Sequence, residues 1–423
     1  ITEYSDWKDM IVKRKSDNPT DHFVPTSGST HAIKWVLYTP KFKAELWKAS
    51  SALIHDLYVR YPEIKKGTHY WSLSWLPADM RKQQSSNDLD FFVGLEKYLL
   101  EQTMTLDDAV AALPSLKDSM RQNLLSLLTK NVTLISIWSP TFLIEVLEQL
   151  INDKNYFLDH LKDAKKRAVI ADLNKLAPEN TKILFPELVL ISAWATSSSK
   201  IYAEKIKKLF PHVSFEAKGL WATEGVLTIP FEKKFPIAVN SHFYEFEEWE
   251  TKKIYPSWEL KMGMKVMPIF TTGSLFFRYK LNDLLEVSEF YDKTPCLIFL
   301  GRQNETDLVG EKISTNLAQK ILENFKTEFS LEGLSLLAVQ AEKPHYRLLV
   351  ECADKLEKKN LMDDFLENKL LEHFHYKLAR ELGQLQRAQV ELTEDAFSRY
   401  ITYREKVVAI KGNIKVEPLV LVK

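Results

Sequence analysis

Val132-Thr-Leu-Ile-Ser-Ile-Trp138 and Leu188-Val-Leu-Ile-Ser-Ala-Trp194 are short apolar runs, rich in β-branched residues and bounded by polar or turn residues. Runs of this length and composition read as buried strands. Between them, residues 141–175 carry apolar side chains at helical spacing, and similar amphipathic stretches lie near 41–60, 198–210, 313–327 and 355–382. This alternation predicts an α/β fold, with helices packed on sheets. From about 225 to 300 the helical signal fades and short strands such as Pro295-Cys-Leu-Ile-Phe-Leu300 take over. An attached antiparallel sheet or distorted β-barrel is expected there.

Beyond Gly301 the order becomes helix (313–327), two strands (334–341 and 345–352) around the turn Glu342-Lys-Pro-His345, a long helix (355–382) and a final strand near 405–410. That order predicts a small α+β C-terminal domain, 301–423, after a large α/β domain, 1–300. The polar stretch Gly301-Arg-Gln-Asn-Glu-Thr-Asp307 suits the hinge between them.

At 423 residues and 45% hydrophobic, the chain is long enough for two domains with a sizeable core. Its 57 basic residues balance its 57 acidic ones, which speaks against nucleic acid or a membrane surface as the main partner. The two cysteines, Cys296 and Cys352, sit in apolar runs and suit buried free thiols, hence a reducing, cytoplasmic setting. No apolar run is long enough to span a membrane, and the start at Ile1 shows no signal-peptide pattern. A first residue other than methionine also suits a chain that lacks an N-terminal portion. Oligomeric state has no sequence signal here.

Five clusters carry candidate chemistry. In Val24-Pro-Thr-Ser-Gly-Ser-Thr30, the hydroxyls of Thr26, Ser27, Ser29 and Thr30 surround one glycine, a composition that can wrap a phosphate. Lys218-Gly-Leu-Trp-Ala-Thr-Glu224-Gly sets Thr223 and Glu224 at a strand-to-loop junction, where one carboxylate can hold magnesium carried by phosphates. Phe276-Phe-Arg-Tyr-Lys-Leu-Asn-Asp283 ends in an acid able to accept two ribose hydroxyls. Arg302 and Lys312 flank the expected boundary, and Lys415 lies in a late Lys-Gly-Asn-Ile-Lys run, placed to neutralise phosphate charge. Each cluster alone also matches an ordinary turn or solvated face. Trp71, Trp75, Phe243 and Tyr244 are aromatic candidates for an apolar pocket or for core packing. The His373-Phe-His375 pair is expected on a helix, where positions two apart diverge, so no metal site is expected there.

The order of these clusters resembles the adenylate-forming superfamily of acyl-CoA synthetases, adenylation domains and luciferases. Within it, the chain looks most like the auxin-inducible acyl acid amido synthetases (the Gretchen Hagen three family) and their bacterial relatives. The supporting segments are Thr26–Thr30, Trp138-Ser-Pro-Thr-Phe-Leu143, Gly219-Leu-Trp-Ala-Thr-Glu-Gly225, Phe243-Tyr-Glu-Phe246, Phe277-Arg-Tyr-Lys-Leu-Asn-Asp283, Gly310-Glu-Lys312 and Gly383-Gln-Leu385. The resemblance implies a cytoplasmic ligase using ATP and Mg²⁺, with a large adenylation domain and a small lid domain that rotates. A carboxylic acid would be adenylated and its acyl group passed to an amino acid amine. Thr26, Ser27 and Thr30 would hold the ATP phosphates, Ser29 and Thr223 would also bind ATP, and Glu224 would hold the magnesium, Asp283 the ribose, and Arg302 the nucleotide at the hinge. Lys312 and Lys415 would be the catalytic cations.

The chain departs from the family pattern in three places. His31 stands where a further glycine is usual, Asn282 precedes the acid in place of glycine, and Leu220 occupies the position of the adenine-stacking aromatic, with Trp221 next to it. Two other readings share the motif order: transfer to a thiol such as coenzyme A, and a catalytically silent relative that binds a small acid or a partner.

Overall fold

The computed structural model describes residues 1–18, 20–25, 34–71, 103–105, 113, 115–196, 199–302, 305–352, 359–405 and 416–422. Among them the chain divides into two compact units, the division falling between Gly301 and Arg302.

The larger unit opens with the helix Tyr4–Asp17 and a short antiparallel pair, β1 (Phe23–Pro25) and β2 (Trp35–Leu37). Next comes the helix Pro40–Arg60, where Thr39 caps the first turn by accepting from the Phe42 N–H. Its apolar face carries Phe42, Leu46 and Ala49 into the core. Four strands then form a parallel sheet in chain order: β3 (Thr68–Trp71), β4 (Val132–Ser136), β5 (Leu190–Ala193) and β6 (Ser214–Ala217). β4 and β5 are wholly buried, which is why they read as continuous apolar runs rather than alternating ones. The 141–175 stretch is several helices, Pro140–Asn152, Lys154–His160 and Ala164–Ala171. Asp153 and Asp163 interrupt it, the latter capping the third helix through the Lys166 N–H.

After β6 the chain turns antiparallel. A hairpin of β7 (Trp221–Ala222) and β8 (Gly225–Val226) leads to a sheet ordered β10 (Ile254–Pro256), β9 (Phe243–Glu248), β11 (Lys265–Thr271), β13 (Asp283–Tyr291) and β14 (Thr294–Arg302), with β12 (Tyr279–Lys280) paired to β11. Residues 235–237 pair with β14, and Thr228 bridges Ile237, carrying the pairing back to the β7–β8 hairpin. The expected antiparallel element is therefore present, and its inner face packs Val226, Phe246, Val266 and Phe270 against the first two helices.

The smaller unit begins with the pair β15 (Glu305–Thr306) and β16 (Ile313–Ser314). It then builds a four-stranded sheet ordered β19 (Gln389–Thr393), β18 (His345–Glu351), β17 (Gly333–Val339) and β20 (Leu419–Val422). The hairpin β17–β18 falls where the sequence places it, whereas the strand expected near 405–410 lies, past Glu405, outside the described residues. Ala396–Glu405 is a helix whose Ala396 and Tyr400 pack on Leu337, Leu349 and Val420, and the closing strand is β20. The described part of the 355–382 stretch is two helices, Lys359–Leu371 and Phe374–Glu381, with His373 at the N-cap position of the second. That break brings the His373 and His375 rings to 6.0 Å, where an unbroken helix would turn them apart. No group of three or more His, Cys, Asp or Glu poised for a metal occurs among the described residues. Cys296 is buried, Cys352 is partly so, and neither is in a disulfide. No helix among the described residues is long and apolar enough to cross a membrane.

Gly219 joins the two sheets of the larger unit. A Cβ there would lie 2.1 Å from the Thr228 carbonyl oxygen, so only glycine lets the chain pass. We expect Gly219→Ala to lower the stability of the larger unit by about 2 kcal/mol or more, since backbone cannot yield as a side chain can. A shift of the urea midpoint without a change in slope measures it.

Candidate active site

The carboxyl ends of the parallel strands meet at one edge, where open α/β sheets place ligands. Trp71, Ser136, Ser192 and Glu216 stand in register across that end. The ladder runs one step further: Trp194 N–H donates to the Trp138 carbonyl and Lys218 N–H to the Ala193 carbonyl. Trp138, Trp194 and Lys218 are thereby delivered side by side. The Trp138 ring lies 5.8 Å from Trp194 and 6.3 Å from Trp221. Lys218 Nζ sits 4.6 Å from the centre of the Trp138 ring and 5.9 Å from that of Trp71, and donates to Ser136 Oγ at 2.8 Å. The Trp71 Nε1 hydrogen is buried without a hydrogen-bond partner among the described residues. Trp194, Trp221 and Lys218 thus gather around the Trp138 ring, and the same lysine reaches Trp71. Aromatic walls suit an apolar ring, and an ammonium held among them suits an anion attached to it.

Trp221 leads directly into the Thr223–Glu224 hairpin. That turn is pinned on both sides of Glu224. The Tyr38 hydroxyl donates to the Thr223 carbonyl at 2.9 Å, and the Tyr244 hydroxyl to the Val226 carbonyl at 2.7 Å. Gly225 packs so closely that a Cβ would meet Phe270 at 3.0 Å and His242 Nε2 at 3.1 Å. Glu224 is itself buried. It reaches the Tyr4 hydroxyl electrostatically: burial pushes that hydroxyl up, its bond with the Trp35 N–H opposes the rise, and the Glu224 charge adds to it. Tyr38 follows β2 and donates its N–H to the His22 carbonyl, so the hydrogen bond to Thr223 ties the Glu224 turn to the end of the β1–β2 pair, at the other end of which the chain connects through Thr26, Ser27, Ser29, Thr30 and His31. Those five residues, like Trp75 and Lys415, lie outside the described residues.

Asp283 opens β13, partly buried. Arg302 ends β14, and its side chain lies outside the described part. Two aromatic candidates do not line a pocket. Tyr244 is a core residue, 3% exposed, with its hydroxyl shared between the Val226 and Ala238 carbonyls. Phe243 faces outward, 49% exposed, at 6.4 Å from the exposed Trp258 ring. Strand alternation forces this split, since neighbours in β9 point to opposite faces. Trp71 belongs to the indole cluster. Lys218, Ser136, Trp138, Trp194 and Trp221 were not singled out by residue type. Their signal was positional: a tryptophan closes each of two consecutive apolar strands.

Lys312 belongs to the smaller unit and adopts a left-handed conformation, φ 51°. Beside it Glu311 is fully buried, accepting from the Leu308 and Val309 N–H groups and from the Tyr346 hydroxyl, while His373 Nε2 bonds its carbonyl. Burial and the Asp307 charge push the Glu311 carboxyl up to about 7 against those donors. Burial, with Lys312 and His373, pulls His375 down to about 4, which keeps it neutral beside the lysine.

The sequence profile of the GH3 family N-terminal domain matches residues 1–215, and that of the GH3 family central domain residues 235–302. The chain belongs to the GH3 family. This GH3 chain is 28% identical over 146 residues to the probable indole-3-acetic acid-amido synthetase GH3.11 of Oryza sativa subsp. japonica, covering 30% of the chain and 24% of that protein. It is 23% identical over 206 residues to the jasmonoyl-L-amino acid synthetase JAR6 of Nicotiana attenuata, covering 43% of the chain and 35% of that protein. It therefore spans about a third or less of the length of these curated relatives. Among solved structures, AtGH3.15 acyl acid amido synthetase in complex with 2,4-DB superposes with a TM-score of 0.63 at 15% identity, over 99% of this chain and 84% of that one. That likeness establishes the fold, mixed α/β as the strand and helix alternation predicts.

Glu311 gives this GH3 chain a defined pH response. In the folded state it keeps its proton to about pH 7, whereas unfolded it releases it near the usual 4.5. Between these values the folded state binds more protons, so this group's contribution makes stability fall as pH rises and level off above about 7. Glu311→Gln, neutral at every pH, is expected to lose that component of the slope. Urea unfolding at pH 5, 6, 7 and 8 measures it.

Proposed function

We propose that this chain adenylates a carboxylic acid with ATP and passes the acyl group to an amino acid amine. The observation that carries this reading is the continuous run from the Lys218–indole cluster through Trp221 to a Glu224 turn hydrogen-bonded to Tyr38. An acid-binding surface and a carboxylate suited to a phosphate-borne cation thus lie on one short segment. In this reading the acid's ring packs among Trp71, Trp138, Trp194 and Trp221, and Lys218 steers its carboxylate. One carboxylate oxygen attacks the α-phosphorus of ATP, the bond to the bridging oxygen breaks, and acyl-adenylate and pyrophosphate result. The amine then attacks the acyl carbon, loses a proton, and AMP leaves.

The donor set at Glu224 fits magnesium, a hard cation that takes one or two carboxylates and completes its shell with phosphate oxygens and water. When bound, it would neutralise phosphate charge. We assign Thr26, Ser27, Ser29, Thr30 and Thr223 to the phosphates, Asp283 to the ribose and Arg302 to the nucleotide. Lys312 and Lys415 are the cations assigned to developing phosphate charge. Phosphoryl chemistry asks the protein mainly for position and charge, which these residue types supply. The unit ending at Gly301 is assigned to adenylation and the one beginning at Arg302 to the rotating lid. The cytoplasmic setting rests on the free thiols.

Pyrophosphate exchange into ATP across a panel of aromatic and aliphatic acids tests the first half-reaction, and mass analysis with amino acids or coenzyme A the second. Acid-dependent exchange and an N-acyl amino acid are expected. Thioester without amide, or no exchange with any acid, would overturn the reading. Lys218→Met is expected to raise the KM for the acid about 10- to 100-fold, the loss of one charge-assisted contact, with the KM for ATP unchanged.

A further inference from the structure

The Glu224 turn rests on a buried imidazole that the functional reading does not use. His242 lies just before β9 with its side chain fully buried. Its Nδ1 is 2.9 Å from Glu45 Oε2, and the Val226 N–H donates to its Nε2 at 3.2 Å. A ring nitrogen that accepts from an N–H carries no proton. The imidazole is therefore neutral, with its hydrogen on Nδ1 directed at Glu45.

The ring cannot swing away. Phe42 stacks on it at 5.5 Å and 22°, Phe270 at 6.1 Å and 29°, and Tyr244 meets it edge-on at 5.9 Å. Glu45 is fixed in turn: its Oε2 also accepts from the Gly273 N–H at 2.7 Å, and its carbonyl accepts from Ser241 Oγ at 2.8 Å. A relay thus runs from the helix Pro40–Arg60 through Glu45 and His242 to the Val226 amide, two residues from Glu224. Gly225 completes the fit, since its missing Cβ is what lets the turn approach His242.

We infer that His242, oriented by Glu45, is a positioning residue for Glu224, fixing the turn so that its carboxylate meets the cation carried by the ATP phosphates. The cation half of this inference rests on the proposed adenylation. Groups that orient a metal's ligand without touching the metal commonly change its affinity by 10- to 100-fold when removed.

Two substitutions divide the ring's functions. The Asn side chain reaches about as far as Nδ1, so His242→Asn can keep the donor to Glu45 but loses the acceptor for Val226. The Gln side chain reaches about as far as Nε2, so His242→Gln can keep that acceptor. Three readouts are taken on each full-length variant: hydrogen exchange of the Val226 amide, the Mg²⁺ concentration for half-maximal pyrophosphate exchange, and the KM for the acid. For His242→Asn we expect Val226 exchange to accelerate at least about tenfold and the half-saturating Mg²⁺ to rise about tenfold or more, with the acid KM unchanged. His242→Gln is expected to stay within about threefold of wild type in all three. Equal loss in both variants, a parallel rise in the acid KM, or an unchanged Mg²⁺ requirement in His242→Asn would overturn the inference. A wild type without pyrophosphate exchange would overturn the adenylation reading and the cation half. The Val226 amide would still decide whether His242 holds the turn.

Discussion

Everything that gives the larger unit its candidate site depends on one close passage of backbone. At Gly219 the chain leaves the last parallel strand and runs against Thr228 at a distance no side chain permits. Hydrogen bonds from the Leu220 N–H to Thr228 Oγ1 and from the Leu227 N–H to the Leu220 carbonyl lock the crossing. Upstream of it, Lys218 remains in the parallel ladder and faces the indoles. Downstream, Trp221 and the Glu224 turn are already part of the antiparallel region. Seven residues, Lys218 to Glu224, therefore span two architectures, and their separation is fixed by packing rather than by a flexible linker.

Buried charge reinforces the same junction. Arg60, at the end of the helix Pro40–Arg60, bonds both Asp56 and Glu216 of β6, and Asp56 also accepts from the Glu232 N–H at 3.2 Å. Desolvating such a group is costly, and removing one partner of a buried pair usually costs about 3–5 kcal/mol, because the other charge is left alone. One helix thus anchors the parallel sheet through Arg60 near its end and the Glu224 turn through Glu45 near its start. Its apolar face supplies area, and its polar groups supply register. The same helix start is tied to the 272–274 turn, where Thr39 Oγ1 donates to the Gly273 carbonyl at 2.6 Å.

Residue type and residue position carried different parts of the site. Thr223 and Glu224 entered the candidate site by residue type, a hydroxyl and a carboxylate beside glycine, a pattern that an ordinary turn shares. Trp71 and Tyr244 were legible only as aromatics, and an aromatic side chain fits a core as well as a pocket. What separates them is strand direction and register. Trp71 closes a parallel strand at its carboxyl end, whereas Tyr244 points inward from the middle of an antiparallel sheet with its hydroxyl already used. Lys218 carries no local signal, and Ser136 and Trp138 lie against it only in the fold. His242 and Glu45 are 197 residues apart and share no local signal.

By itself the sequence determined the elements and their layers. Apolar periodicity and β-branched runs are local, and they specify the α/β alternation, the antiparallel stretch after it and the β17–β18 hairpin. It also determined the order of chemical clusters along the chain. Only the tertiary structure decided which side chains share a space, because convergence at a strand end, a glycine-sized gap and a histidine's proton position all depend on partners distant in sequence. Side-chain chemistry is written residue by residue, while a site is written in distances, and those are set by packing of the whole unit.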